Sequence, residues 1–327
     1  MTCLPFLTIC DFPGLVPNTG EDMTAKIQEM FDTADAECTK AVFPAGVFTV
    51  TELFMPRGLY VLGAGLGGTV SHKGTVFLQP QGVNKSLLRN KPLPASEWQH
   101  WGGIEGVHLH KVPAAVGQTP DTIGHGVDLD CRVGEDWRPY RSMIENFPQS
   151  GIRYRKGGTP VWITDMHIFR CGEYAIDLEK GGGDVAHCTT IERISGDNNG
   201  LGMVKLKTLG TLNEHVSIKH IKAEATIAGR HPHLFVFENI YQVGIDIEHV
   251  GGVVLPAATP GADALVRIVG DFTGRVHQRA CHIQGYKSAL RDHRTVADAA
   301  QQGRNFPMTI AGESFSFPML YGSRNMA

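Results

Sequence analysis

The stretch YVLGAGLGGT, residues 60–69, decides the fold. Gly63, Gly65 and Gly68 fall in the spacing G-x-G-x-x-G directly after the apolar run 59–62. A dinucleotide loop with this spacing must open a helix, because the helix N-terminus holds the pyrophosphate. After Gly68 the chain instead continues TVSHKGTVFLQP, with β-branched residues, another glycine and a proline, which reads as turn and then strand. The position about 20 residues on, where an acidic side chain would meet the ribose, carries QGVNKS. The glycines therefore predict a tight turn between short strands, and nucleotide binding is excluded.

Outward from that turn, the composition suits a folded, strand-rich chain. Of 327 residues, 42% are hydrophobic and 19% charged, with 39 glycines for turns and a formal charge of −3. A nucleic-acid partner would call for a basic excess. The seven cysteines are scattered and never spaced C-x-x-C, which points to reduced thiols and not to a disulfide framework or zinc cluster. The opening MTCLPFLTICDFPG has no basic leader, and Pro5 and Asp11 interrupt its apolar residues. Neither a signal peptide nor membrane insertion is expected.

EDMTAKIQEMFDTADA (21–36) carries Met23, Ile27, Met30, Phe31 and Ala34 on one helical face, with acidic residues at its start. From about residue 100, runs of four to seven residues alternate apolar and polar, among them HGVDLDC, VWITDMHIF, YAIDLE, TTIERIS and VGIDIEHV. Related residues recur at similar intervals, as in Ile168, Ile194 and Ile221, or Leu178 and Leu206. Short strands at a period of 20–30 residues signal a solenoid. Leucine-rich, ankyrin and tetratricopeptide patterns are absent. A β-sandwich is the alternative, but hairpin signals are sparse, NNG at 198–200 being the example.

The N-terminal third resembles the opening segment of the pectin-lyase-like right-handed β-helix superfamily, in the form found in phage tailspikes. The matching residues are Asp11, Phe12, Asp22, Thr24, Ile27, Gln28, Val42, Phe43, Pro44, Ala45, Gly46, Leu62, Gly63, Gly65 and Thr69; Pro13 and Gly14 depart from the family's Gly-Ala. The resemblance implies an all-β, right-handed parallel β-helix with an N-terminal capping α-helix. Residues 1–40 form the N-terminal segment and cap, 41–286 the β-helix, and 287–327 a C-terminal tail suited to oligomerisation. By the same resemblance the chain is a homotrimer, made in the host cytoplasm and placed in a virion among other virion proteins. SFSFPMLYG (314–322) is the candidate strand for pairing with another copy.

Solenoids of this kind hold extended polymers along a surface groove. A glycosidase needs two carboxylates several ångströms apart, one protonated and one ionised. Neighbouring rungs about 4.8 Å apart and alternate strand residues about 7 Å apart can supply such pairs. Asp128 and Asp130, and Asp177 and Glu179, are the catalytic candidates, each pair expected to point outward together. A competing reading sets Asp177 and Glu179 against Lys205 and Lys207 one rung later as a charge ladder. Trp98, Trp101, Trp137 and Tyr140 are candidates for a sugar-stacking platform, and Arg153 and Arg155 form a basic cluster for an acidic polymer. GHG (124–126) and VWITDMH (161–167) echo polygalacturonase and pectate-lyase strands, but their partner motifs are missing. His108 and His110 share a strand face and could ligate a metal, but with 15 histidines in the chain solvated or core-edge histidines are the favoured reading; no cofactor or metal is expected.

These observations predict a spike-type β-helix that recognises a host surface polysaccharide, with cleavage left open. A non-catalytic virion scaffold and a bacterial polysaccharide lyase or glycosidase are the alternatives. Sugar, linkage and reaction type are not legible.

Overall fold

The structure, a computed structural model, describes residues 6–67, 73–93, 98–99, 102–134, 137–156, 158–180, 188–208, 214–227, 229–254, 264–286 and 288–293. Every strand pairing among the described residues is parallel. Three faces succeed one another along each turn of the chain. The first face runs through Lys40–Val42, Tyr60–Leu62, Gly103–Glu105 and Arg138–Tyr140. The second contains Gly46–Thr49, Thr75–Gln79, Val107–Lys111 and Met143–Glu145. The third contains Leu53–Met55, Leu88–Asn90, Val127–Leu129, Ile152–Tyr154, Tyr174–Lys180 and Gly202–Thr208. From Val161–Phe169 onward a single strand bends from the first face to the second, and the long strands His233–Val254 and Ala264–Gln284 cover all three faces in turn. Ser288–His293 adds a further rung to the third face. The chain is a right-handed parallel β-helix, and the parallel registers rule out the sandwich.

Alternation explains the core. Ile163, Ile191, Ile218 and Ile247 stack in register and are fully buried, as do Ile176 and Val204, and Leu178 and Leu206, on the third face. Ile194 stacks on Ile221 as the sequence suggests, but its other neighbour is Met166 and not Ile168. The early rungs are filled by Phe31, Phe43, Phe48 and Phe77, whose rings meet edge to face with centroids 5.1–6.2 Å apart.

The bend from first face to second is made by one residue in the left-handed region. Asp165, Arg193, His220, His249 and Ala280 occupy it with φ of 54°, 55°, 54°, 54° and 52°. Side chains hold this column from outside: Arg193 donates to both Asp165 oxygens at 2.6 and 2.8 Å, and the His220 and His249 rings stack at 4.9 Å. The NNG at 198–200 is likewise a corner between second and third faces. Buried Asn199 donates to the Ile168 carbonyl and accepts from the Cys171 N–H, and its own N–H donates to His231 Nε2 at 2.9 Å.

His231 is completely buried, and burial pushes its pKa down from 6.5 to about 3. The unfolded chain takes up this proton near pH 6.5, whereas the folded chain refuses it until about pH 3. The stability His231 contributes is therefore complete above pH 6.5 and is lost as pH falls through that interval. His231→Gln retains an acceptor for Asn199 without the titration. Unfolding free energies from urea melts between pH 4 and 6.5 are expected to fall less steeply in the variant, by about 1.4 kcal/mol per pH unit.

The helix Thr24–Ala36 starts three residues later than the periodicity suggests, because Asp22 pairs with Thr49 and accepts from the Thr24 N–H. Its buried residues are those expected, Ile27, Met30, Phe31 and Ala34. It also covers a strand edge directly. The Gln28 amide both donates to the Phe54 carbonyl and accepts from the Phe54 N–H, and the Thr24 hydroxyl accepts from the Thr51 N–H. Backbone groups that would otherwise invite another chain are thus satisfied.

Of the opening glycines, Gly63 and Gly65 lie in a turn after the strand Tyr60–Leu62, as the sequence predicts. The Gly63 N–H donates to the Glu105 carbonyl and the Gly65 N–H to the Gly106 carbonyl of the next rung. A Cβ on Gly63 would lie 2.3 Å from the Gly106 oxygen, and Gly65 has φ +110°. The chain goes on to the strand Thr75–Gln79, not to a helix. Gly68, Thr69 and the tail beyond 293, including 314–322, lie outside the described residues. Among the described residues no disulfide forms, and no helix is long and apolar enough to cross a membrane.

Candidate functional site

The third face carries most of the candidate residues. Strand pairing places Asp128 beside Arg153, Arg153 beside Asp177, and Asp177 beside Lys205. Inward Val127, Ile152, Ile176 and Val204 alternate with this outward row and fix its orientation. Signs alternate along it, as they do through Glu179, Lys207 and Glu238 two positions along the strands.

Asp128 does not point freely outward as expected. It is 3% exposed, because Ser86, His125 and Arg155 close over it. Arg155 grips the carboxylate with both prongs, at 2.9 and 2.7 Å, while Ser86 Oγ donates at 3.2 Å. Burial alone would raise this carboxyl, but the Arg155 pair, with His125 and Arg153 nearby, holds it below its ordinary value. Its expected partner Asp130 lies past the strand end, exposed and paired with Lys156 at 3.4 Å. The two acids do not form an outward pair, since the chain turns a corner after Leu129.

Asp177 and Glu179 do share the outward side of Tyr174–Lys180. Glu179 sits opposite Lys207 in register, with an ion pair of 3.3 Å, and 3.9 Å from Arg153. Lys205, opposite Asp177, reaches instead to Glu238 at 3.3 Å. Both the ladder reading and the paired-acid reading thus have their geometry. Asp177 makes no ion pair among the described residues. Burial pushes its carboxyl up to about 6, against the pull of Lys205 and Arg153. The row therefore combines one carboxyl that keeps its proton up to about pH 6 with carboxylates held by cations on either side.

Arg153 and Arg155 lie on this same surface. Arg153 Nη1 is also 3.2 Å from His125 Nε2, and burial pushes the His125 pKa down to about 4. Of the aromatic candidates, Trp137 is 1% exposed and packs edge to face on buried Tyr154, so it fills the interior and offers no face to a sugar. Tyr140 lies on the first face, with the Arg141 guanidinium 4.8 Å from its ring centre, away from the acids. Trp98 belongs to a small three-strand sheet with Arg132–Gly134 and Gly158–Thr159, and Trp101 lies outside the described residues. Two further aromatics on the surface are not among the sequence candidates. Tyr174 starts the Asp177 strand, 5.9 Å from the Lys205 ammonium. Trp162, on the first face, is covered by Arg138 at 3.8 Å. The alternation within VWITDMHIF could have flagged Trp162 as outward.

No protein-family model and no curated protein matches the chain. Among solved structures it is similar to ORF18 of Geobacillus virus E2, at 12% identity and a TM-score of 0.53, over 89% of this chain and 60% of that one. It is also similar to the tailspike gp49 of Acinetobacter baumannii bacteriophage Fri1, a capsular polysaccharide depolymerase (10% identity, TM-score 0.41, 93% and 66% coverage). A further likeness is to Pantoea stewartii WceF, a glycan biofilm modifying enzyme with a tailspike-like parallel β-helix (13%, 0.35, 89% and 37%). The chain thus spans about three fifths of the viral ORF18 protein, with which it has the fold in common.

Proposed function

We propose that this β-helix binds an extended polysaccharide along its third face and hydrolyses it there, as a spike-type component of a virion. The observation that carries the reading is Asp177, a carboxyl retaining its proton up to about pH 6 within a row of ionised groups. Acid and carboxylate held at different protonation states are what glycoside hydrolysis requires. Asp177 donates its proton to the glycosidic oxygen as the C–O bond breaks. Glu179, two residues along the strand, takes a proton from the water that adds to the anomeric carbon. Alternate residues about 7 Å apart leave room for that water. Arg153 and Lys205 flank the acid and suit a polymer carrying carboxylate groups.

A second reading is a non-catalytic virion scaffold. It is favoured by Lys207 and Arg155, which hold Glu179 and Asp128 in ladder contacts sufficient to explain both acids structurally.

Incubation of the full chain with a panel of bacterial capsular polysaccharides and lipopolysaccharides separates them. New reducing ends without the ultraviolet absorbance of unsaturated uronates are expected. That absorbance would replace the hydrolase by a lyase. Silence across the panel, from folded protein, would leave the scaffold.

A further inference from the structure

On the second face, away from the acid row, His108 and His110 converge with Glu145 of the next rung, their ligand atoms all within 4.8 Å of one another. The strand Val107–Lys111 sends Val107 and Leu109 into the core, so both imidazoles project outward, their rings 5.3 Å apart. Register sets His110 directly opposite Glu145. Gly67, in the turn that holds the opening glycines, lies against His108, which is 2% exposed.

That turn fixes the tautomer. His108 Nδ1 lies 2.7 Å from the Gly67 carbonyl, which can only accept, so this nitrogen carries the proton. In the neutral ring, Nε2 is then a bare lone pair. It is buried, makes no hydrogen bond, and points at Glu145 Oε2 3.4 Å away. His110 Nδ1 approaches the same oxygen at 3.2 Å. Arg170, 3.8 Å from Oε1, stands on the other side of the carboxylate. Two acceptors turned toward each other in a buried site repel unless a positive centre lies between them.

We infer that His108, His110 and Glu145 form a binding site for a divalent transition-metal cation, Zn²⁺ in the first instance. The spacing fits. Zinc bonds of about 2.0–2.1 Å at tetrahedral angles place neighbouring ligand atoms about 3.3–3.4 Å apart, against the 3.4 and 3.2 Å observed. The Gly67 carbonyl supplies the outer hydrogen bond that metal-binding histidines usually make. Two imidazoles and one carboxylate leave a fourth position open to water or a ligand oxygen, as in zinc sites that do chemistry.

Titration of the full chain with Zn²⁺ against a chromophoric chelator tests this. One tightly bound ion per chain is expected, with affinity reduced at least about 100-fold in Glu145→Gln and in His110→Asn. His167→Asn, on the next rung, is expected to bind as the parent does. Circular dichroism checks each variant's fold. Co²⁺ bound to the unaltered chain, which needs no variant, is expected to give intense tetrahedral ligand-field bands without thiolate charge transfer. Failure to bind Zn²⁺, affinity unchanged in both variants, or a Co²⁺ spectrum of thiolate or aqueous type would overturn the site.

Discussion

Asp177→Asn is expected to lower polysaccharide cleavage about 10²–10⁴-fold, the usual contribution of a positioned general acid, while leaving the β-helix intact. Asparagine keeps the shape and the outward position between Arg153 and Lys205. It cannot donate a proton to a leaving oxygen. In the parent chain, activity is expected to fall as pH rises past about 6, where burial sets the Asp177 carboxyl. Stability should move the other way in the variant. A carboxyl raised from 3.8 to about 6 stabilises the fold while protonated, and that contribution is lost as pH rises through the interval. Asparagine has no such loss, so at pH 7 the variant should melt at or above the parent temperature. Lower activity with unchanged or higher melting identifies a functional acid. Lower activity with lower melting would point to a structural one. Asp128→Asn is a different case. It loosens the two-pronged Arg155 contact, so its effect is expected first in stability.

The second large effect concerns Lys111, whose side chain is 2% exposed. Its ammonium donates to the Pro80 and Val83 carbonyls at 2.9 and 2.7 Å and pairs with Asp121 at 2.6 Å. Asp121 also accepts from the Gly82 N–H, and Asn84 Oδ1 accepts from the Thr122 and Ile123 N–H groups, so one loop is docked onto another around a buried charge. Removing one partner of a buried pair leaves the other charged and unmatched, at about 3–5 kcal/mol. Asp121→Ala is expected to lose that much in urea unfolding. Lys111→Met combined with Asp121→Leu is expected to recover most of it, because burying neither charge is far less costly than burying one. A single variant as stable as the parent would show that the ammonium escapes to water when its partner is removed.

The fold was legible in the sequence for a definite reason. An inward residue at every second position, repeated each turn, leaves a periodic trace, as in Ile191, Ile218 and Ile247 or Leu178 and Leu206. Helix-facing residues and the non-helical sequel to Gly65 were equally local and could be read directly. Side-chain environment was harder. Alternation placed Asp128 outward, but its burial comes from Ser86 and from Arg155, on other rungs. Trp137, a candidate for the stacking platform, packs inside against Tyr154. Glu145 was invisible as a partner for His108 and His110, because the rung joining His110 to Glu145 runs from 110 to 145, longer than the 20–30-residue period the sequence suggests. One-residue left-handed corners, filled here by Asp, Arg, His and Ala instead of glycine, carried no compositional signal.

The central claim is that Asp177 remains a carboxylic acid where its neighbours are ionised. Carbon-13 NMR of aspartate-labelled protein, with the Asp177 carboxyl assigned by its loss in Asp177→Asn, tracks that proton directly. A midpoint near pH 6 is expected. Titration at the ordinary aspartate value of 3.8 would contradict the account and reduce the row to a charge ladder.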